Sequence, residues 1–204
     1  MRKNVITDKR LEKFARVAAA RQKMTVIIEN VHDPHNLGAV MRTCDSVGIQ
    51  ELFVIYTEGH LDEQRFDQVK SSATGVRKWL HLHFYRDVGA CFAHVRTKYD
   101  EIWATHLGHD YKELYDLDLT KRVALLFGNE HAGLSTQALS HADGNFIIPQ
   151  FGMVNSLNIS VACAVTLYEA ARQRQKLGMY EGQPDPEINQ HFIDQHNKRY
   201  DRGH

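Results

Sequence analysis

Cysteine is scarce in this chain. Cys44, Cys91 and Cys163 are odd in number and widely spaced, so they form neither a disulfide framework nor a C-x-x-C metal spacing. A reducing compartment follows, and the expected location is cytoplasmic. The start, Met1-Arg-Lys-Asn-Val-Ile, lacks the apolar stretch of a secretory leader, and no run approaches the ~20 apolar residues of a membrane helix. No G-x-G-x-x-G follows the first predicted strand and no G-x-x-x-x-G-K-[ST] occurs, which argues against dinucleotide and P-loop chemistry. Ser156 is not part of a G-x-S-x-G elbow, so an α/β-hydrolase is disfavoured. The 13 histidines include the pairs His81/His83, His106/His109 and His191/His196, but none comes with matching carboxylates or thiolates. No metal site is expected.

What is present suits one globular domain with short appendages: 204 residues, 43% hydrophobic and 25% charged. Net charge is zero but unevenly spread. Residues 1–23 hold eight Lys and Arg against Asp8 and Glu12, a net of +6, which leaves −6 for the rest. A basic arm of this kind suits a polyanionic partner, although a solvated helix face has the same composition.

Strand and helix signals alternate along the chain. Thr7 or Asp8 caps a helix to about Arg21, with a narrow apolar stripe of Leu11, Phe14, Ala15 and Ala18. Met24–Glu29 reads as a buried strand, followed by a polar loop broken by Pro34 and Gly38. A helix from about Leu37 to Val47 carries Arg42 and ends at Gly48, before a strand at 52–56. Within 57–79, Lys70-Ser-Ser-Ala-Thr-Gly looks like a loop. His81–Tyr85 reads as a strand, 87–97 as a helix with Ala90, Ala93 and Val95 inward, and Glu101–Thr105 as a strand. Residues 122–127 are almost continuously apolar, as in a central parallel strand, and a helix starts near Thr136. The tail 181–204 is polar, with room for one helix near 187–200. The pattern is an α/β fold with a mostly parallel sheet flanked by helices.

Residues 146–178 organise the rest. A short β-branched run at 146–148 ends at Pro149, Gly152 permits a sharp bend, and Ser156 stands where an N-cap belongs. Such a loop presents main-chain donors and acceptors to a flat polar ligand. In parallel α/β sheets, ligands bind beyond the carboxyl ends of the strands. The loops after strands 24–29, 122–127 and 146–148 would therefore gather Asn36, Arg42, Asn129, Glu130, Asn155 and Asn158 around one site.

Three segments in this order carry a family resemblance. They are 30–42 (Asn-Val-His-Asp-Pro-His-Asn-Leu-Gly-Ala-Val-Met-Arg), 126–135 (Leu-Phe-Gly-Asn-Glu-His-Ala-Gly-Leu-Ser) and 147–161. They resemble the motifs of the SPOUT methyltransferases, and more closely the SpoU branch, which methylates ribose 2′-hydroxyls of RNA. Within it the chain is similar to the enzymes that modify guanosine 18 in the tRNA D-loop. Supporting features are the basic N-terminal helix ending Ala-Ala-Arg-Gln, Ala-Thr-His-Leu at 104–107, and Leu-Tyr-Glu-Ala-Ala-Arg-Gln-Arg-Gln-Lys-Leu-Gly-Met-Tyr from Leu167. The resemblance spans roughly residues 10–180.

It implies a SPOUT fold with a deep C-terminal trefoil knot, and S-adenosylmethionine (SAM) as methyl donor. It also implies cofactor-binding by Thr105, Leu126, Gly128, Ile148, Met153, Ser156 and Leu157. The key catalytic role falls to Arg42, sometimes described as a general base. A guanidinium stays protonated to pH beyond ~12, so holding the adjacent phosphate and stabilising the developing alkoxide is the better physical role. Asn36 and Glu130 would orient Arg42 or its loop, Glu130 alternatively capping the next helix, and Asn158 would brace the knot or the ribose. Asn155 stands where relatives often carry Gln.

The expected domain bounds are 1–23 for the basic extension, 24–180 for the methyltransferase domain and 181–204 for the tail. Arg10, Arg16, Arg21, Arg172 and Arg174 would meet tRNA phosphates. A homodimer is implied, with Leu157, Ile159, Val161, Val165 and Leu167 available for its interface. A 23S rRNA methyltransferase of the same branch is the alternative, disfavoured because about 23 residues before the first strand leave no room for an extra RNA-binding domain. A non-catalytic RNA-binding relative is the third reading.

Overall fold

The computed structural model describes residues 6–57, 79–108, 110–154, 156–184 and 186–201. The loop read at 70–75 and Asn155 lie outside them. Seven strands form one sheet in the order β3-β2-β1-β6-β4-β7-β5, with every neighbouring pair parallel. They are β1 Met24–Glu29, β2 Glu51–Ile55, β3 His81–Tyr85, β4 Glu101–Thr105, β5 Tyr111–Glu113, β6 Val123–Phe127 and β7 Gly144–Ile147. The helices are α1 Asp8–Ala19, α2 Pro34–Ser46, α3 Val88–Arg96, α4 Thr136–Leu139, α5 Ile159–Lys176 and α6 Pro186–Asp201.

The central strands β1 and β6 are buried along their whole length, which is why both read as apolar runs without alternation. Their side chains nonetheless divide between two faces. Val26, Ile28, Leu125 and Phe127 join the core under α2 and α5, whereas Ile27, Ala124 and Leu126 join the core under α3 and α4. On α2 the buried residues Leu37, Val40, Met41 and Cys44 recur at helical spacing, and α5 answers with Ile159, Cys163 and Leu167. Burying one such Leu or Ile side chain is worth about 1.5–3 kcal/mol.

Local chemistry shifts several expected boundaries. Helix α2 starts at Pro34, three residues early, because the Asp33 carboxylate accepts from His35 N (2.8 Å) and proline suits the first helical turn. Gly48 follows its end with φ +86, and a Cβ there would stand 2.3 Å from Ala20 O. Helix α3 turns Val88, Cys91, Phe92 and Val95 inward, so Ala90 and Ala93 are exposed instead. Leu11 is likewise at the surface of α1, leaving Phe14 and Ala18 as its buried contacts. The tail does form a helix, α6, whose Phe192 packs on Phe14 at 5.8 Å between ring centroids.

Two arginines expected at the surface belong to the interior. Arg174 is fully buried, donating from Nε to Leu119 O (2.9 Å), from Nη1 to Gln22 Oε1 (3.2 Å) and from Nη2 to Lys121 O. Gln22 in turn donates to Met179 O at 2.9 Å. Arg21 has a side chain only 3% exposed and donates to Ile49 O (2.7 Å), Asp45 (3.1 Å) and Trp79 O (3.3 Å). Both cations donate to main-chain carbonyls of separate segments, a spread that suits the wide planar guanidinium better than a compact ammonium. Arg174→Ala strands two carbonyls and empties a large buried volume, so urea unfolding should show a loss of about 3 kcal/mol or more. A loss below about 1 kcal/mol would mean these contacts are dispensable.

Candidate active site

The carboxyl ends of β1, β6, β4 and β7 lie side by side, and β6 sits between β1 and β4. Loops leaving β1 and β6 therefore start next to one another and are tied at their first residues. Glu29 closes β1 as a buried carboxylate, accepting from Ser135 N (2.8 Å) and Ser135 Oγ (2.6 Å). The same Ser135 hydroxyl accepts from Ala138 N at 3.0 Å and so caps α4. Asn30 adopts φ 53, a left-handed value that asparagine tolerates, and exchanges hydrogen bonds with Thr57, both at 2.9 Å. Its carbonyl accepts from Asn129 Nδ2 at 2.7 Å, joining the two loops again.

The loop after β6 folds tightly back on itself. Asn129 and Gly133 exchange main-chain hydrogen bonds at 2.9 Å, while Asn129 Oδ1 accepts from His131 N and Ala132 N. Gly128 lies against this turn so closely that a Cβ would come within 2.4 Å of Gly133 C and O. Only glycine fits there.

A cavity of about 410 Å³ opens over the ends of β4, β6 and β7. Thr105, Gly128, Ile148, Ser156 and Leu157 all line it, together with Glu130. Leu126 lies beneath, its carbonyl accepting from Thr105 Oγ1 at 3.2 Å. Met153 is 98% exposed and does not line the cavity in this single chain. Ser156 is not the cap of the long helix. Asn158 is, accepting from Ser160 N at 2.9 Å, and the helix starts at Ile159. A carboxamide one residue before the turn outcompetes a serine three residues before it. Gly152 keeps an ordinary negative-φ backbone, so the bend there does not use glycine's special freedom.

A chain of hydrogen bonds at the cavity rim joins the first turn of α2, the loop after β6 and the cap of α5. Asn36 Nδ2 donates to Glu130 Oε1 (2.6 Å), and Asn158 Nδ2 donates to Asn36 Oδ1 (3.1 Å). Glu130 thus engages Asn36, and the cap of α4 is Ser135 rather than Glu130. Arg42 is exposed on α2, six residues after Asn36 and hence about 9 Å further along the axis. Among the other arginines, Arg16 is exposed, Arg10 lies 5.8 Å over the Phe14 ring, and Arg172 pairs with Glu169 at 2.7 Å. That pairing holds the Glu169 carboxyl below its usual range. All three thiols are buried, and burial pushes Cys91 up to about 12 and Cys44 well above its ordinary value, so neither is a nucleophile.

Reading the sequence missed His106, Leu107 and Gln150 on the cavity wall and the Glu29–Ser135 clasp. The signals were available: His106 and Leu107 directly follow a strand end, and a glutamate closing an apolar parallel strand needs a buried partner.

Comparison with known proteins decides the family. Residues 23–168 match the model of the SpoU rRNA Methylase family. The chain belongs to that family. It is 40% identical over 189 residues to the tRNA (guanosine(18)-2′-O)-methyltransferase of Thermus thermophilus, covering 92% of this chain and 95% of that one. The crystal structure of the A. aeolicus TrmH/SpoU tRNA modifying enzyme superposes with a TM-score of 0.81 at 32% identity, covering 95% and 97% of the two chains. The SpoU methyltransferase AviRb from Streptomyces viridochromogenes, in complex with AdoMet, gives 0.66 at 28% identity over 76% of this chain and 62% of that one.

For this SpoU-family chain the clasp at the end of β1 should be testable without any ligand. Glu29→Gln turns an amide N–H₂ toward the Ser135 donors, and equilibrium unfolding should register a loss of about 1–3 kcal/mol. Unchanged stability would show that the clasp does not hold the loop.

Proposed function

We propose that this chain transfers a methyl group from S-adenosylmethionine to a ribose 2′-hydroxyl of RNA, at guanosine 18 of the tRNA D-loop. The observation that carries the reading is the hydrogen-bonded rim Glu130–Asn36–Asn158 beside a cavity at the strand ends. The similarity to tRNA enzymes over nearly the whole chain supports tRNA over rRNA as the substrate.

The cavity fits the cofactor. Ile148 and Leu157 offer apolar walls for an adenine, and Thr105, Ser156 and the turn from Gly128 to Gly133 offer polar atoms. When bound, the cofactor supplies an activated methyl group on a positively charged sulfur. The task left to the protein is to position a poorly nucleophilic hydroxyl and manage its proton. Arg42 carries a fixed positive charge suited to gripping the neighbouring phosphate and stabilising the oxygen as it loses its proton to that phosphate. Asn36, itself held by Asn158, holds Glu130 on the rim and so sets the segments that bracket the ribose.

The same reading includes a trefoil knot formed as the chain after β6 passes through a neighbouring loop, a topology otherwise almost absent from proteins. It includes a cytoplasmic homodimer that needs no metal. Phe151 and Met153, each 98% exposed, adjoin Val154, and Val161 and Tyr168 project from α5, an apolar surface that suits a second subunit. Ile159 and Leu167 are buried in the protomer core instead and leave the interface set. Helices α1 and α6 pack together through Phe14 and Phe192, and Arg10 and Arg16 on α1 and Arg172 on α5 would meet RNA phosphates.

Incubation with labelled S-adenosylmethionine and total RNA, followed by nuclease mapping, tests the reaction. The expected product is 2′-O-methylguanosine in tRNA; label confined to rRNA would favour the 23S alternative, and no label would end the enzyme reading. Arg42→Ala should lower kcat by about 100-fold or more while the cofactor Kd stays within about twofold. For the assembly, a Met153→Asp/Val161→Asp variant should elute as a monomer by size-exclusion chromatography with light scattering, against a dimer for the parent. A parent that is itself monomeric at micromolar concentration would exclude the dimer.

A further inference from the structure

Glu130 is the only Asp, Glu, Lys or Arg on the described walls of the cavity, whose other polar side chains are amides, hydroxyls and the imidazoles of His106 and His131. The methyl donor proposed above brings three charges to those walls: a positive sulfur, and the ammonium and carboxylate of its methionine end. The two cations suit Glu130, whose Oε2 remains when Oε1 accepts from Asn36. The carboxylate is the group left over. It has the same sign as the only fixed charge on the described walls, and an anion drawn out of water needs donors.

The turn that carries Glu130 spends most of its donors on the protein itself. The amides of Asn129 and Gly133 donate to each other's carbonyls, and those of His131 and Ala132 donate to Asn129 Oδ1. Asn129 Nδ2 donates to Asn30 O. Among the turn's side chains one donor remains, the imidazole of His131. It lines the cavity, it is exposed, and it makes no hydrogen bond among the described residues. Its own amide is fixed by Asn129, so the ring stands on a hydrogen-bonded turn. In the proposed reaction the methyl group leaves from beside the Glu130–Asn36 rim, and the methionine α-carbon is three bonds from the sulfur. The carboxylate on that carbon is therefore within reach of the same turn. Gln150 and Ser156 belong instead to the segment of Ile148 and Leu157, where the adenine is placed.

We infer that His131 is a cofactor-binding residue, its imidazole N–H holding the α-carboxylate of S-adenosylmethionine while Glu130 faces the cationic groups. The inference rests on the SAM-dependent reading above. Two adjacent residues then match two groups of opposite charge on one carbon, and the match sets which way the methionine end turns in the cavity. An imidazole donates a hydrogen bond in either protonation state, so the contact does not require a charged histidine.

Calorimetric titration with two ligands tests the contact: S-adenosylhomocysteine, which keeps the carboxylate, and its decarboxylated analogue, which lacks only that group. His131→Ala should raise the Kd for S-adenosylhomocysteine by about tenfold or more and leave that for the analogue within about twofold. The substitution removes an exposed ring and keeps the amide that donates to Asn129, so the circular dichroism and unfolding midpoint should match the parent. Equal losses for both ligands, or no loss for either, would overturn the contact and leave the methyltransferase reading standing. A carboxylate-dependent loss in His106→Ala but not in His131→Ala would also overturn it, placing the anion at the end of β4. A parent that binds neither S-adenosylmethionine nor S-adenosylhomocysteine would instead overturn the reading beneath it.

Discussion

The buried carboxylate of Glu29 is the contact on which the site depends. It ends β1, one of the two central strands, with buried acceptor oxygens, and buried acceptors cost free energy unless donors meet them. Ser135 supplies both, from its amide and its hydroxyl, and cannot do so unless the loop after β6 has already turned back through Gly128 and Gly133. One hydrogen-bonding requirement at a strand end therefore dictates the course of a loop more than a hundred residues later. Asn129 adds a second tie to Asn30, and the rim of Asn36, Glu130 and Asn158 is built on loops held this way. Polar groups at the site are consequently placed by the sheet, which is rigid, rather than by the loops themselves.

Arginine is used in this protein for two different purposes that composition does not distinguish. Arg174 and Arg21 are interior brackets, each spreading its planar array of donors over carbonyls from separate segments. Arg42, Arg16 and Arg10 keep access to solvent. The basic character of residues 1–23 is thus partly architectural, and the charge left for a polyanion is smaller than the formal +6 implies.

How far the sequence could be read depended on whether local chemistry decided the outcome. The strands Met24–Glu29, His81–Tyr85 and Glu101–Thr105 were legible because their apolar runs and flanking breakers agree with the tertiary structure. The start of α2 and the cap of α5 were missed where two candidates competed: Asp33 against Leu37, and Asn158 against Ser156. The inward face of α3 is not legible from its small alanines, because Val88, Phe92 and Val95 bury more area from one stripe. For the site, the convergence of loops was legible from the strand order that alternating signals imply. The burial of Arg174 was not, because its partners Leu119 and Lys121 lie over fifty residues away and are main-chain atoms, which leave no trace in residue type.

Helix α5 is anchored at both ends by side chains that have unrelated tasks. Asn158 at its start belongs to the rim of the cavity, and Arg174 near its end is locked into the entry to β6. Between them the helix has a fixed length and a fixed phase. A single inserted or deleted residue would rotate one end against the other by about 100° and shift it by about 1.5 Å. The helix could then satisfy Arg174 or present Asn158 to Asn36, but not both. Substitution along its exposed face leaves that relation intact, so the composition of this stretch can change without cost to either anchor while its length cannot.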